Sequence, residues 1–402
     1  MKGLMRLEFK KFVNTNNSVL IIIFILVIIS SIISVSKVDV IDNNGNFYSG
    51  LGGWRILDNQ ARVSDGFVTK DYMMKEKRRY DKSYSKPYIE GTSKEDRKLG
   101  LKLTYPQDSL FFTLNVPYGE DVLTAYNDMN LTEVQMQDFY ENWPRSVIEV
   151  LKRTKSTYSE KEYQLIYSKS SEVETPFYYA YNMGWQAFSN SLEQTWWLYA
   201  IFLSVLFASV FEKHSTFGLS EIILYNPGTR KSLYHYKLSA QLIMGTVVYL
   251  IYILSILLVV GIIYGLHGWN ASIQFFDSLN IFSIVVWQGV LFKLLIGLFT
   301  TFLYIYLVSF LSLLFKSSKA TITIFILQEV LLSYKVNGLA ETYSFLYNLI
   351  PRNFLQGIFS TSKLYFIGTK IIPYGFVALL LACLYIFILR SASRFLLKNY
   401  YI

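Results

Sequence analysis

The chain has 402 residues, 52% of them hydrophobic and 17% charged, with a mean hydropathy of +0.30 and a net charge of +9. Soluble domains carry about a quarter charged and roughly 45–50% apolar residues, and here the apolar surplus falls in unbroken runs of Ile, Leu, Val and Phe, which excludes an ordinary cytosolic enzyme. Residues 36–192 hold 20 Lys and Arg against 22 Asp and Glu, leaving +11 on the rest, so a near-neutral polar block sits inside a cationic apolar chain and no nucleic-acid partner is expected.

In chain order, residues 1–15 place Met1, Leu4, Met5, Phe9 and Phe12 on one half of a helical wheel and Lys2, Arg6 and Lys10 on the other. That is the pattern of a helix lying in the membrane plane over anionic headgroups, or of a basic flank that sets topology. Val19–Val35 carries no charge over 17 residues and reads as the first span. A cleaved signal peptide has a shorter apolar core, about 7–15 residues. At 157 residues, the block 36–192 is long enough to fold around its own core. It reads as a mostly helical α+β domain, with helices over Gly66–Tyr84 and Leu131–Lys155 and a strand over Leu110–Val116 stopped by Pro117. The one cysteine, Cys383, lies in an apolar run, so the block has no disulfide, which favours a bacterial over a eukaryotic cell surface.

A span needs about 20 apolar residues to cross roughly 30 Å of hydrocarbon. Gln194–Phe211, led by Trp196, Trp197 and Tyr199, is the second span and Leu238–Leu266 the third. Ile281–Phe315 has 35 residues with one charge, Lys293, too many for one span and too few for two. The expected solution is an interfacial helix over Ile281–Phe292, a span over Leu294–Phe315 and a Lys293 that snorkels to the outer surface. Ala320–Tyr334 is the short fifth span, and Ile371–Leu389, with Pro373 near its start, is the sixth. With both termini in the cytoplasm, 13 Lys and Arg fall on inside segments against Glu8, Glu212 and Glu221, while the outside loop His267–Asn280 has no Lys or Arg. Six spans therefore satisfy the positive-inside rule, and the block lies outside the cell.

The longest inside loop reads as a short helix from Leu219 to Tyr225, ended by Asn226-Pro227-Gly228, with Arg230 and Lys231 opening the next helix. Leu219, Ile222 and Ile223 form an apolar face that either enters a groove on a partner or lies on lipid. Glu212, Gly218, Glu221, Leu224, Pro227, Thr229, Arg230 and Lys237, in this order, resemble the coupling segment of ABC type 2 (ABC-2) exporter permeases. The chain departs from that pattern at Leu219, where Thr is usual, and at Thr216, where a second acidic residue is common. The resemblance extends in layout to the whole chain. It divides it into an N-terminal helix and first span (1–35), an extracellular domain (36–192), and five spans (193–402) with a coupling loop (212–237) and an outer re-entrant segment (343–360). It implies a separate ABC ATPase subunit docking on Glu212, Gly218, Leu219, Glu221, Ile222, Ile223, Leu224, Pro227 and Arg230. It also implies a second permease copy or a related permease, and an amphipathic cargo such as a peptide, lipid or drug-like compound.

No Gly-x-x-x-x-Gly-Lys-Ser/Thr loop occurs, so no cofactor is expected in this chain, and ATP and Mg belong to the partner subunit. Three His and one Cys offer no zinc-ligand spacing, and no nucleophile elbow or His-Glu-x-x-His occurs, so the chain is not expected to be an enzyme. Glu329 lies about 15 Å beyond Lys319 along a straight helix. With Gln328 it is a candidate for the translocation path, against a plain hydrogen bond to a neighbouring helix. The rival function is a membrane-anchored receptor or assembly factor whose external block binds a ligand without transport.

Overall fold

The computed structural model describes residues 15–35, 39–41, 47–84, 108–115, 131–153, 158–211, 227–333 and 347–398. Six helices form a bundle: α1 (Thr15–Val35), α8 (Met183–Phe207, prolonged by a 3-10 turn over Ala208–Phe211), α9 (Pro227–Tyr264), α10 (Val286–Phe315), α11 (Ser318–Ser333) and α12 (Tyr374–Lys398). Among the described residues, four stretches are long and apolar enough to cross a membrane, namely Met183–Phe211, Tyr234–Tyr264, Val286–Phe315 and Tyr374–Leu397. The chain is a membrane protein. In hydrocarbon a spanning segment must satisfy its backbone internally, and these apolar runs do so as continuous helices.

The remaining elements belong mainly to the polar block: β1 (Asp39–Ile41), β2 (Phe47–Ser49), α2 (Gly50–Ala61), β3 (Gly66–Phe67), α3 (Lys70–Tyr84), α4 (Asp108–Asn115), α5 (Glu133–Gln137), α6 (Phe139–Arg153), α7 (Glu160–Ser171) and β4 (Tyr178–Tyr179). Antiparallel pairs join Asp39 to Ser49 and Gly66 to Tyr179. A third hairpin, β5 (Leu364–Ile367) with β6 (Lys370–Pro373), leads straight into α12.

Several expectations are corrected. Leu110–Asn115 lies in a helix, not a strand, because Leu110 and Leu114, four residues apart, fill one buried stripe of α4. No helix breaks at Lys293: α10 runs unbroken, and residues 281–285 are loop. The boundary at 192 falls inside α8, which carries the block directly into the bundle. Ile371–Pro373 belong to β6, so the last bundle helix starts at Tyr374. Of the segment 343–360, residues 343–346 lie outside the described residues; 347 and 348 are helical, and a 3-10 turn follows over Pro351–Asn353. At the expected first and fifth spans, α1 covers Thr15–Val35 and the described part of α11 covers Ser318–Ser333.

Two apolar cores result. The first runs through the bundle, where Phe24 of α1 stacks on Phe202 of α8 at 4.3 Å and Phe292 of α10 meets Phe376 of α12 at 4.7 Å. The second lies in the block around Phe177, whose ring meets Tyr140, Trp143 and Phe275 edge-on at 5.0, 5.3 and 6.4 Å. Phe275, Ile281 and Leu364 belong to this second core, so the connections 265–285 and 347–373 cap the same end of the bundle as the block. At the opposite end Ser312 Oγ donates to Ala208 O at 2.7 Å, Lys237 Nζ donates to Val210 O at 2.7 Å, and Lys316, at φ 53°, reverses α10 into α11.

Candidate functional site: buried charges where bundle and block meet

The α11 residues Thr321, Phe325 and Glu329, spaced by four, form one fully buried stripe, while Leu327 on another face is exposed. This register turns Glu329 inward, with 1% of its side chain exposed, and leaves Gln328 half-buried. Arg352, from the turn Pro351–Asn353, donates to the Glu329 carbonyl at 2.9 Å and lies 4.0 Å from its carboxylate Oε2. A lone buried carboxylate is costly, and the nearby guanidinium offsets part of that cost.

A second charge pair closes the block end. On α10 the buried residues Gly289, Val290, Lys293, Ile296, Gly297, Thr300, Thr301 and Tyr304 follow helical spacing towards α8. Lys293 Nζ bonds both Glu193 Oε1 and Ser189 Oγ of α8 and is 6% exposed. The expected snorkelling lysine is thus held inside, because its carboxylate partner arrives on α8 rather than at the surface. Aromatic hydroxyls also join α8, α9 and α10. Tyr252 shares a bond with Thr195 at 2.8 Å, Tyr199 with Thr301 at 3.2 Å, and Tyr249 donates to Leu294 O at 2.6 Å. Gly297 gives Tyr249 room, since a Cβ there would collide with the phenol oxygen. Tyr304 stands between Phe325 of α11 and Trp196 of α8, with ring centroids at 5.7 and 6.4 Å. Such hydroxyl contacts hold helices together in lipid, each worth about 0.6–2 kcal/mol.

The block is tied to the bundle through the loop 265–285. Asp65 faces His267 at 2.5 Å and accepts from Tyr181 N at 3.3 Å. Ser272 Oγ accepts from Tyr178 N at 2.8 Å, while Asn182 and Gln186 both donate to Phe275 O. In the same loop, burial pushes the Asp277 carboxyl up to about 6, against hydrogen bonds from the Leu279 amide and the Asn280 side chain.

Of the residues expected to contact an ATPase, Glu212, Gly218, Leu219, Glu221, Ile222, Ile223 and Leu224 lie outside the described residues, as does the N-terminal amphipathic segment. Pro227 and Arg230 fall in the first turn of α9. The sequence reading found Glu329 and Lys293 but missed their partners. Glu193 stands one residue before the apolar run assigned to the second span, and Arg352 lies in a segment read only as apolar. Among the described residues, no group of three or more His, Cys, Asp or Glu converges as a metal site. No family model, curated protein or solved structure matches this chain.

Proposed function

We propose that this chain is the transmembrane permease subunit of an ATP-driven exporter of the ABC type 2 class, with six spans, cytoplasmic termini and an extracellular block at 36–192. The observation that carries the reading is the alternation of the helix ends. The block, the loop 265–285 and the segment 347–373 share one end, while 208–211, Lys237 and the reversal at Lys316 share the other. Chain leaving α10 at Phe315 must return to the block end by Asn348, whose carbonyl accepts from Tyr374 OH at 2.7 Å, so α11 belongs to a return crossing. That alternation suits six crossings, and in this reading the coupling segment 212–237 lies opposite the block, on the side of Lys316 and Lys319. A partner ATPase holding ATP and Mg would press on Leu219, Ile222 and Ile223, and a second permease copy or a related permease would complete the path for an amphipathic cargo. Gln328 and Glu329 stand as the path candidates on α11.

The test is a pull-down from native membranes in mild detergent. An ATPase subunit should copurify with the chain and be lost when Leu219, Ile222 and Ile223 are replaced together by Asp. Retention of the ATPase by that variant rejects the docking role, and failure of any ATPase to copurify favours the receptor reading. In intact cells, an Asn226→Cys variant should resist impermeant thiol reagents applied from outside; ready labelling would invert the topology.

A further inference from the structure

The segment 347–373 holds the block with one end and the bundle with the other. On the block side Tyr158, at the entry to α7, donates to Thr361 O at 2.7 Å and accepts from Leu364 N at 3.1 Å. Its ring meets Phe366 edge-on at 5.5 Å. Burial pushes this phenol up to about 12, so its proton stays in place at physiological pH. On the bundle side Arg352 donates to the Glu329 carbonyl and stands 4.0 Å from its carboxylate.

The stretch between these grips is braced along its length. Asn353 Nδ2 donates to Tyr347 O at 2.8 Å, Lys363 Nζ to Gln356 O at 3.1 Å, and Asn280 Nδ2 to Phe359 O at 3.3 Å. Tyr374 and Tyr385 of α12 donate to Asn348 O and Leu349 O at 2.7 and 3.1 Å.

We infer that residues 347–373 form a strut that carries displacement of the block, gripped at Tyr158, to α11, gripped at Arg352. The inference rests on these contacts alone and does not require the exporter reading.

The experiment is hydrogen–deuterium exchange on the full chain in lipid nanodiscs, reading the amides of 318–333. Tyr158→Phe keeps the ring and removes only the hydroxyl. It should speed exchange in α11 about fivefold, the size of one hydrogen bond's contribution to an opening equilibrium. Arg352→Gln should do the same, and the double variant should exceed neither single by more than twofold. Ser159→Ala, which removes the cap of α7 without touching the strut, should leave α11 as in the parent. A change under threefold in α11 for Tyr158→Phe overturns the strut. So does equal acceleration by Ser159→Ala, which would mean general loosening, or full additivity of the two variants.

Discussion

In the bundle the four longest helices run 25–38 residues, and their own hydrogen bonds satisfy all but the ends; in the block, α5 and α7 have 5 and 12 residues and each opens on a side-chain capping box. Those boxes pair Thr132 with Gln135 and Ser159 with Glu162, supplying acceptors to amides that a short helix cannot satisfy itself. Buried polar groups differ likewise. Bundle hydroxyls such as Thr300 and Thr301 bond back to carbonyls of their own helix. In the block the buried Glu76 is met by Ser64 at 2.7 Å and by Arg79 at 2.6 Å. The contrast teaches which solvent each region answers to: hydrocarbon demands continuity of backbone bonding, whereas water tolerates interruptions that side chains can cap.

The largest expected effect strikes the bundle's weak point, its charges. Lys293→Met leaves Glu193 without its cation and should cost about 3–5 kcal/mol in thermal unfolding, while adding Glu193→Leu should recover most of it. A double variant no better than the single would show that the pair adds net stability instead of cancelling its own desolvation. In the block, Trp143→Ala removes a ring packed on Phe177 and should cost about 3–5 kcal/mol. If the two regions are distinct units, its effect on block fluorescence should precede loss of bundle helicity on heating. Gly184→Ala tests the seam: its Cβ would collide with the carbonyl oxygen of Gly265, a backbone atom that cannot swing aside, at about 1–3 kcal/mol. Thr132→Ala and Ser159→Ala should each cost about 1 kcal/mol, a loss confined to the block.

The smallest effect concerns pH. The folded state raises the Asp277 carboxyl to about 6, so the folded chain binds that proton more readily than the unfolded chain does. Its contribution to stability is therefore fully present below the unfolded value, about 3.9, and is lost as pH rises through about 6. Asp277→Asn should flatten this part of the melting-temperature profile. An unchanged profile would assign the slope to other groups.

The long helices could be read directly, because about 20 apolar residues in sequence is a local property that no distant contact can undo. Other elements depended on partners that periodicity does not reveal. The run Leu110–Leu114 is apolar enough for strand or helix, and only the core that receives Leu110 and Leu114 together selects the helix. Lys293 was visible as an anomaly, yet its meaning turned on Glu193 a hundred residues upstream. Likewise Glu329 was visible as a charge in an apolar run, while Arg352 carried no signal in a segment whose 3-10 turns have no periodic pattern.

By itself, the sequence determined that the chain enters a membrane, that its charge gathers on the flanks of apolar runs, and that a polar block interrupts those runs. These follow from solvation, which acts on each stretch of chain separately. Only the tertiary structure decided that Lys293 and Glu329 are both sheltered and paired, and that three distant connections close one end of the bundle together. Pairing and closure are properties of position in space, and in this chain the decisive partners lie between 23 and more than 200 residues apart.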